Sequence, residues 1–236
     1  MVLNDMKDGR HMKHEQQVYS FKDLARLVQD LGFFPFFKNS IPGFSVEEHT
    51  PSELWFSQDD DGPWEWKGPV IQETGCAYGK LFQGKAGFIS SEWFPDFANY
   101  RRGGYDFDTR YEYGLVRHQD RLVHDVLAEY DSLLSTDLKR LCDFGKGGRK
   151  GFDGIMERLQ MQGYAVISDF EYRLDRHGNS YGWGVTRYAI PEHYFGESFT
   201  EQVYSQTVEE SRQRIVEYLR ELLPDASERE ILKIVG

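Results

Sequence analysis

Residues 145–151, Gly-Lys-Gly-Gly-Arg-Lys-Gly, place Lys146, Arg149 and Lys150 among glycines. Glycines let backbone N–H groups approach an anion, and ammonium and guanidinium groups neutralise it, so the chemistry on offer is the holding of phosphate. A nucleotide-binding P-loop needs GxxxxGK and then Ser or Thr, between a strand and a helix. Here a helical pattern comes first and no hydroxyl follows the lysine, which rejects a P-loop. Two readings remain: a loop that grips a backbone phosphate of nucleic acid, or a solvated turn. The seven histidines show neither HxH nor HxxxH order, so no metal site is expected. Asp59-Asp60-Asp61-Gly62 lacks the spaced ligands of a calcium loop.

The flanking sequence supplies the elements that would carry these cations. A helix from Asp137 to Leu141, the glycine-rich turn, a helix from Phe152 to Gln162 and two alternating strands follow in the order of a winged helix. That order puts Arg158 on the second helix, Arg173 on the first strand, and Arg176 and His177 at the hairpin tip. Phosphates would run along such a surface. Winged helices also serve as protein-binding or interdomain modules, so a protein partner stays open.

Charge and composition limit the alternatives. The chain has 236 residues and a net charge of −11, whereas nucleic-acid readers usually present a basic surface. Distribution qualifies the sum: residues 136–190 hold nine cationic and seven anionic side chains, a net of +2, which leaves the remainder at −13. No apolar run approaches the roughly 20 residues of a spanning helix, and no signal region opens the chain, so a cytoplasmic protein is expected. Cys76 and Cys142, far apart and outside any CxxC, read as reduced core thiols.

The expected fold is α+β, with an aromatic-rich N-terminal region packed on the winged helix and closed by a helical tail. Its segments are a leader over 1–17, the mixed region over 18–130, the winged helix over 131–196 and the tail over 197–236. Ser20 caps an amphipathic helix that ends at Gly32; a short strand is expected near Phe44 to Val46, a hairpin around Gln83 to Ala86, and a helix from Arg121 to Leu134. Thr207 with Glu210, and Ser227 with Glu230, form capping boxes at two tail helices.

The stretches "LFQGKAGFISSEWFPDFANYRR" and "TDLKRLCDFGKGGRKGFDGIMERLQMQGYAVI" resemble the bacterial winged-helix DNA glycosylases of the AlkZ/YcaQ group, over roughly residues 78 to 190. The resemblance implies duplex DNA as partner and cleavage of the N-glycosidic bond of alkylated or crosslinked bases without a metal or other cofactor. Its family mark is a QxQ or QxD motif that positions the attacking water, in the N-terminal part of the protein. One QxQ, Gln160-Met161-Gln162, has the spacing but lies late, at the end of the presumed recognition helix. Two helical residues two positions apart point about 200° from each other, so they could hold one water jointly only if the helix had unwound. Otherwise they read as surface or base-edge contacts, glutamine being a partner for adenine.

Carboxylates are the other candidates that the resemblance raises, because an oxocarbenium-like transition state favours a nearby negative charge and the water needs a base. Glu65, between Trp64 and Trp66, and Glu73, beside Gln72, sit where an extruded base could stack, and Glu92 before Trp93 is a third. An aromatic segment is also what a core looks like. The sequence therefore leaves two functions in play: a DNA-binding relative of these glycosylases with the activity, or a catalytically silent winged helix that binds a protein or RNA.

Overall fold

A computed structural model describes residues 16–56, 62–174, 176–177 and 180–236, with backbone alone for 173–174 and 180–183. Of the expected leader, residues 1–15 lie outside the described residues, as do Asp59, Asp60 and Asp61. The chain is a mixed α/β structure with one antiparallel sheet. Its elements begin with α1 (Phe21–Leu31), β1 (Phe33–Pro35), α2 (Val46–His49), a single tight turn over Ser52–Phe56, α3 (Pro63–Thr74), β2 (Ala77–Phe82) and β3 (Lys85–Ile89). Next come α4 (Phe94–Arg102), α5 (Phe107–Glu112), α6 (His118–Ala128), β4 (Leu133–Leu134), α7 (Ser135–Leu141), α8 (Phe152–Met161), β5 (Val166–Leu174) and β6 (Ser180–Ala189). The chain closes with α9 (Pro191–Phe195), α10 (Glu197–Gln202), α11 (Val208–Leu222) and α12 (Glu228–Val235).

Local rules account for many of these boundaries. The Ser20 hydroxyl accepts from Asp23 N–H at 3.3 Å, and Leu24, Leu27, Val28 and Leu31 form the buried stripe of α1. Both capping boxes are present at α11 and α12. Two expectations need correction. The strand expected near Phe44–Val46 is instead α2, because the Ser45 side chain accepts from Glu48 N–H and starts a helix there. The helix expected to reach Leu134 ends at Ala128, and Leu133 and Leu134 pair with Tyr188 and Arg187 as an edge strand. Residues 63–74 form α3, with Pro69 inside it and no apolar stripe to announce it.

The sheet order is β1-β3-β2-β5-β6-β4. A single registered pair, Tyr78 with Ile167, joins β2 to β5, so one sheet continues from the aromatic-rich region into the expected module. Two buried clusters flank that seam. The first combines α1, the β1–β3 strands and α4 with Ile215, Leu219 and Ile231 of the last helices. The second holds Phe107, Val123, Leu127, Leu138, Phe152, Ile155, Leu159 and Tyr164. The tail thus packs on the first cluster, α11 lying against α4.

Arg102, at the end of α4, is 0% exposed and links the two clusters. Its Nε and Nη2 donate to the Gly163 carbonyl at 3.2 and 2.7 Å, and its Nη1 donates to Glu192 Oε1 at 2.7 Å and the Tyr204 hydroxyl at 2.8 Å. The guanidinium lies over the ring of Tyr164 from the second cluster and that of Phe199 from the first. Among the described residues, no helix is long and apolar enough to cross a membrane.

Both buried cations and buried imidazoles of this fold can be tested. Arg102→Met removes one partner from a buried ion pair and orphans the Gly163 carbonyl, and chemical denaturation should show a loss of about 3 kcal/mol. His124 stacks on Phe107 at 3.6 Å between ring centres, and burial holds its imidazole down to about 4 from an ordinary 6.5. Between those values the unfolded chain binds a proton that the folded chain refuses, so stability falls as pH drops through that window. Melting curves of His124→Gln across pH 4 to 7 (roughly the window between the two protonation states) should show a flatter acid limb than the parent; parallel curves would rule out this titration.

Candidate nucleic-acid interface

The segment between α7 and α8 is a pinned turn. Phe144 N–H donates to Lys139 O at 2.7 Å, Gly148 N–H to Gly145 O at 3.1 Å and Arg149 N–H to Asp143 O at 2.7 Å. A Cβ on Gly148 would stand 2.3 Å from the Asp143 carbonyl oxygen, so only glycine lets the chain close this tightly. Phe144 meets Phe152 edge to face at 5.4 Å and ties the turn to the second cluster. On this frame Lys146, Arg149 and Lys150 are exposed, and none has an ion pair among the described residues. Their neighbours differ: Lys139 faces Asp153 at 3.5 Å and Arg140 faces Asp137 at 3.2 Å.

Arg158 is engaged inside the protein. Its Nε and Nη2 donate to the two oxygens of buried Asp120 at 2.8 and 2.5 Å, a two-pronged bridge from α8 to α6. Hydrogen bonding to that carboxylate holds the guanidinium above its ordinary range. At the turn of the β5–β6 hairpin, Arg176 and His177 are exposed, with Arg176 Nε 3.0 Å from His177 Nε2. The side chain of Arg173 lies outside the described residues, as do Gly178 and Asn179.

The two glutamines of the QxQ part company. Gln160 is 2% exposed; its Nε2 donates to the Met156 carbonyl at 2.8 Å and its Oε1 accepts from Lys80 N–H at 3.1 Å, which fastens α8 to β2. Gly79 makes the room, since a Cβ there would sit 2.7 Å from that oxygen. Lys80 completes the seam through an ion pair with Glu157 at 2.8 Å. Gln162, half-buried at the end of α8, makes no side-chain hydrogen bond among the described residues.

Glu65 and Glu73 stand eight residues apart on α3, Glu65 half-buried in the first turn and Glu73 exposed in the last. Neither lines a described cavity, and the main neighbours of α3 are α1 and β5. Lys67 lies between them, its ammonium 5.2 Å from the Trp64 ring centre and 4.7 Å from that of Phe170. Burial lowers it to about 8, against the raising influence of Glu65.

Glu92 and Asp96 line a polar cleft of about 560 Å³ at the start of α4. Asp96 is buried and accepts from Arg214 at 2.7 Å; burial pushes its carboxyl above the usual range, and Ser211 and Arg214 oppose the push. The pairing joins residues 118 apart in sequence, and no local signal announces it. No group of three His, Cys, Asp or Glu side chains that could hold a metal ion occurs among the described residues.

A family model described as AlkZ related matches residues 18–236. No curated protein and no solved structure matches the chain.

The glutamine pair yields a direct comparison. Gln160→Ala leaves the Lys80 N–H buried without an acceptor, and should lower stability by about 1–3 kcal/mol. Gln162→Ala should stay within about 0.5 kcal/mol of the parent. Equal, small effects in urea unfolding would mean that Gln160 does not hold the α8–β2 seam.

Proposed function

The chain belongs to the AlkZ-related family, and from that premise we propose that it is a cytoplasmic DNA-binding protein of glycosylase type, acting on duplexes that carry alkylated or crosslinked bases. On this reading α7, the glycine-rich turn, α8 and the strands β5 and β6 form a winged helix over residues 131–196, between the mixed region over 18–130 and the helical tail over 197–236. Lys146, Arg149 and Lys150 grip phosphate from the loop, and Arg173, Arg176 and His177 do so from the wing. The observation that carries it is the pinned loop with its three exposed, unpaired cations, on a chain where most other described arginines face carboxylates. Arg158, the further candidate for phosphate contact, is held against α6 by its bridge to Asp120.

For the chemistry, a base flipped from the stack must meet a group that positions water. Gln160 is a weak candidate because backbone groups already engage both ends of its amide. Gln162, Glu65 and Glu73 keep free or partly free polar groups. Gln58 and Asp60 also have the QxD spacing and precede the aromatic segment, where the family places its motif; both lie outside the described residues. The second reading, a silent module that binds a protein or RNA, gains from the exposure of Glu73 at the end of α3, whose main neighbours are α1 and β5 rather than the α7–α8 loop.

The test is release of free base from duplex DNA carrying N7-alkylated purines, with the purified protein and with Gln58→Ala, Asp60→Ala, Gln162→Ala and Glu73→Gln. Release abolished in one variant that still binds DNA identifies the water-positioning group. Affinity should also fall steeply with salt, and replacing Lys146, Arg149 and Lys150 together with alanine should reduce the log–log slope by up to about 2.7. Salt-sensitive binding without release favours the silent module; binding indifferent to salt would remove the phosphate grip.

A further inference from the structure

We propose that the β1–β3 end of the sheet carries a second nucleic-acid site, a groove that takes an unpaired nucleotide of single-stranded DNA, its base on an aromatic wall and its phosphate on three lysines. Two adjoining cavities make the groove, of about 340 and 400 Å³, sharing Phe37 and Lys38 on their rims. Volumes of this size suit small ligands.

The smaller cavity is walled by Phe37, Trp55, Phe56 and Trp64. Trp55 and Trp64 meet at 5.5 Å nearly perpendicular, Phe37 lies 5.9 Å from Trp64, and the Phe56 ring is 87% exposed. A ring left that open costs solvation without any internal contact to offset it, and a base face is a natural cover. Glu47, the carboxylate on this cavity among the described residues, already accepts the Lys38 N–H at 2.9 Å.

The larger cavity carries Lys38, Lys85 and Lys233 and, among the described residues, no acidic side chain. The three come from distant parts of the chain and are brought together by specific contacts. Lys85 Nζ donates to the Lys38 carbonyl at 3.4 Å, and the Gln83 amide donates to the Lys233 carbonyl, which holds the end of α12 against the β2–β3 turn. All three ammonium groups are exposed, and none has an ion pair among the described residues. In a protein of net charge −11, three lysines around a cavity without a carboxylate form a local trap for an anion. An apolar peptide would satisfy the rings but not the lysines, and a lone phosphate the lysines but not the rings. A nucleotide in a strand satisfies both, and the strand extends to further phosphates.

The inference goes beyond the duplex reading, since it requires neither the α7–α8 loop nor base release. Fluorescence anisotropy of a labelled thymidine oligomer of about ten nucleotides, with tryptophan quenching as the sign of stacking, tests it. Lys38→Ala/Lys85→Ala/Lys233→Ala should weaken binding at least about tenfold at low salt and reduce the salt slope by up to about 2. Phe56→Ala, at an exposed position, should weaken it about fivefold or more. The alanine triple at Lys146, Arg149 and Lys150 should leave it unchanged, and should act on duplex binding alone. Absence of saturable binding, loss confined to the loop triple, or displacement by inorganic phosphate as readily as by unlabelled oligomer would overturn the proposal.

Discussion

A guanidinium with no access to solvent must find all its partners inside the protein, and at Arg102 that requirement fixes how the two halves meet. An unpaired buried charge costs far more than any one packing interaction contributes, so Gly163, Glu192 and Tyr204 must arrive together. Gly163 closes α8, Glu192 lies on α9 and Tyr204 follows α10; the rings above and beside the charge come from different buried clusters. The end of α8 is thereby located relative to α4, and so is the loop that precedes it.

The same helix shows how little of a recognition-like element is left for recognition. One side of α8 is bound to α6 through Arg158 and Asp120, and another to β2 through Gln160 and through Lys80 with Glu157. Those contacts hold α8 from two sides. The groups still open to an anion lie at its margins, in the loop before it and at the hairpin tip after it. A rigid helix with long cationic side chains at its edges favours contact with a backbone, which has a fixed repeat, over base edges, which need side chains aimed into a groove.

Local chemistry made a good part of this architecture legible in sequence. Ser20, Thr207 and Ser227 start helices because their oxygens meet the first free N–H groups, and the alternating strands of the β5–β6 hairpin show the period of two. The failures have a common source. In α3 the apolar residues surround the helix rather than forming a stripe, and Pro69 adds a false stop, so periodicity gives no signal. The β4 strand exists only because β6 offers an edge, a fact that resides some 50 residues downstream. Gln160 has the composition and spacing of a catalytic motif, but its surroundings come from Gly79 and Lys80, and no pattern within α8 encodes them.

Net charge is a coarse guide for a similar reason. At −11 the chain as a whole repels nucleic acid, yet a Debye length near 8 Å at physiological salt makes the potential at a phosphate depend on the nearest few side chains. What distinguishes the α7–α8 loop and the cavity around Lys38, Lys85 and Lys233 is that each gathers three exposed cations without an ion pair among the described residues, whereas Lys80, Arg121, Arg140, Arg158 and Arg187 face carboxylates. A cation already paired in the free protein must break that pair before it can neutralise a phosphate, so its counterion release is largely forfeited. Clusters of unpaired cations are therefore the informative features, because several must act together to hold an anionic strand against an acidic body.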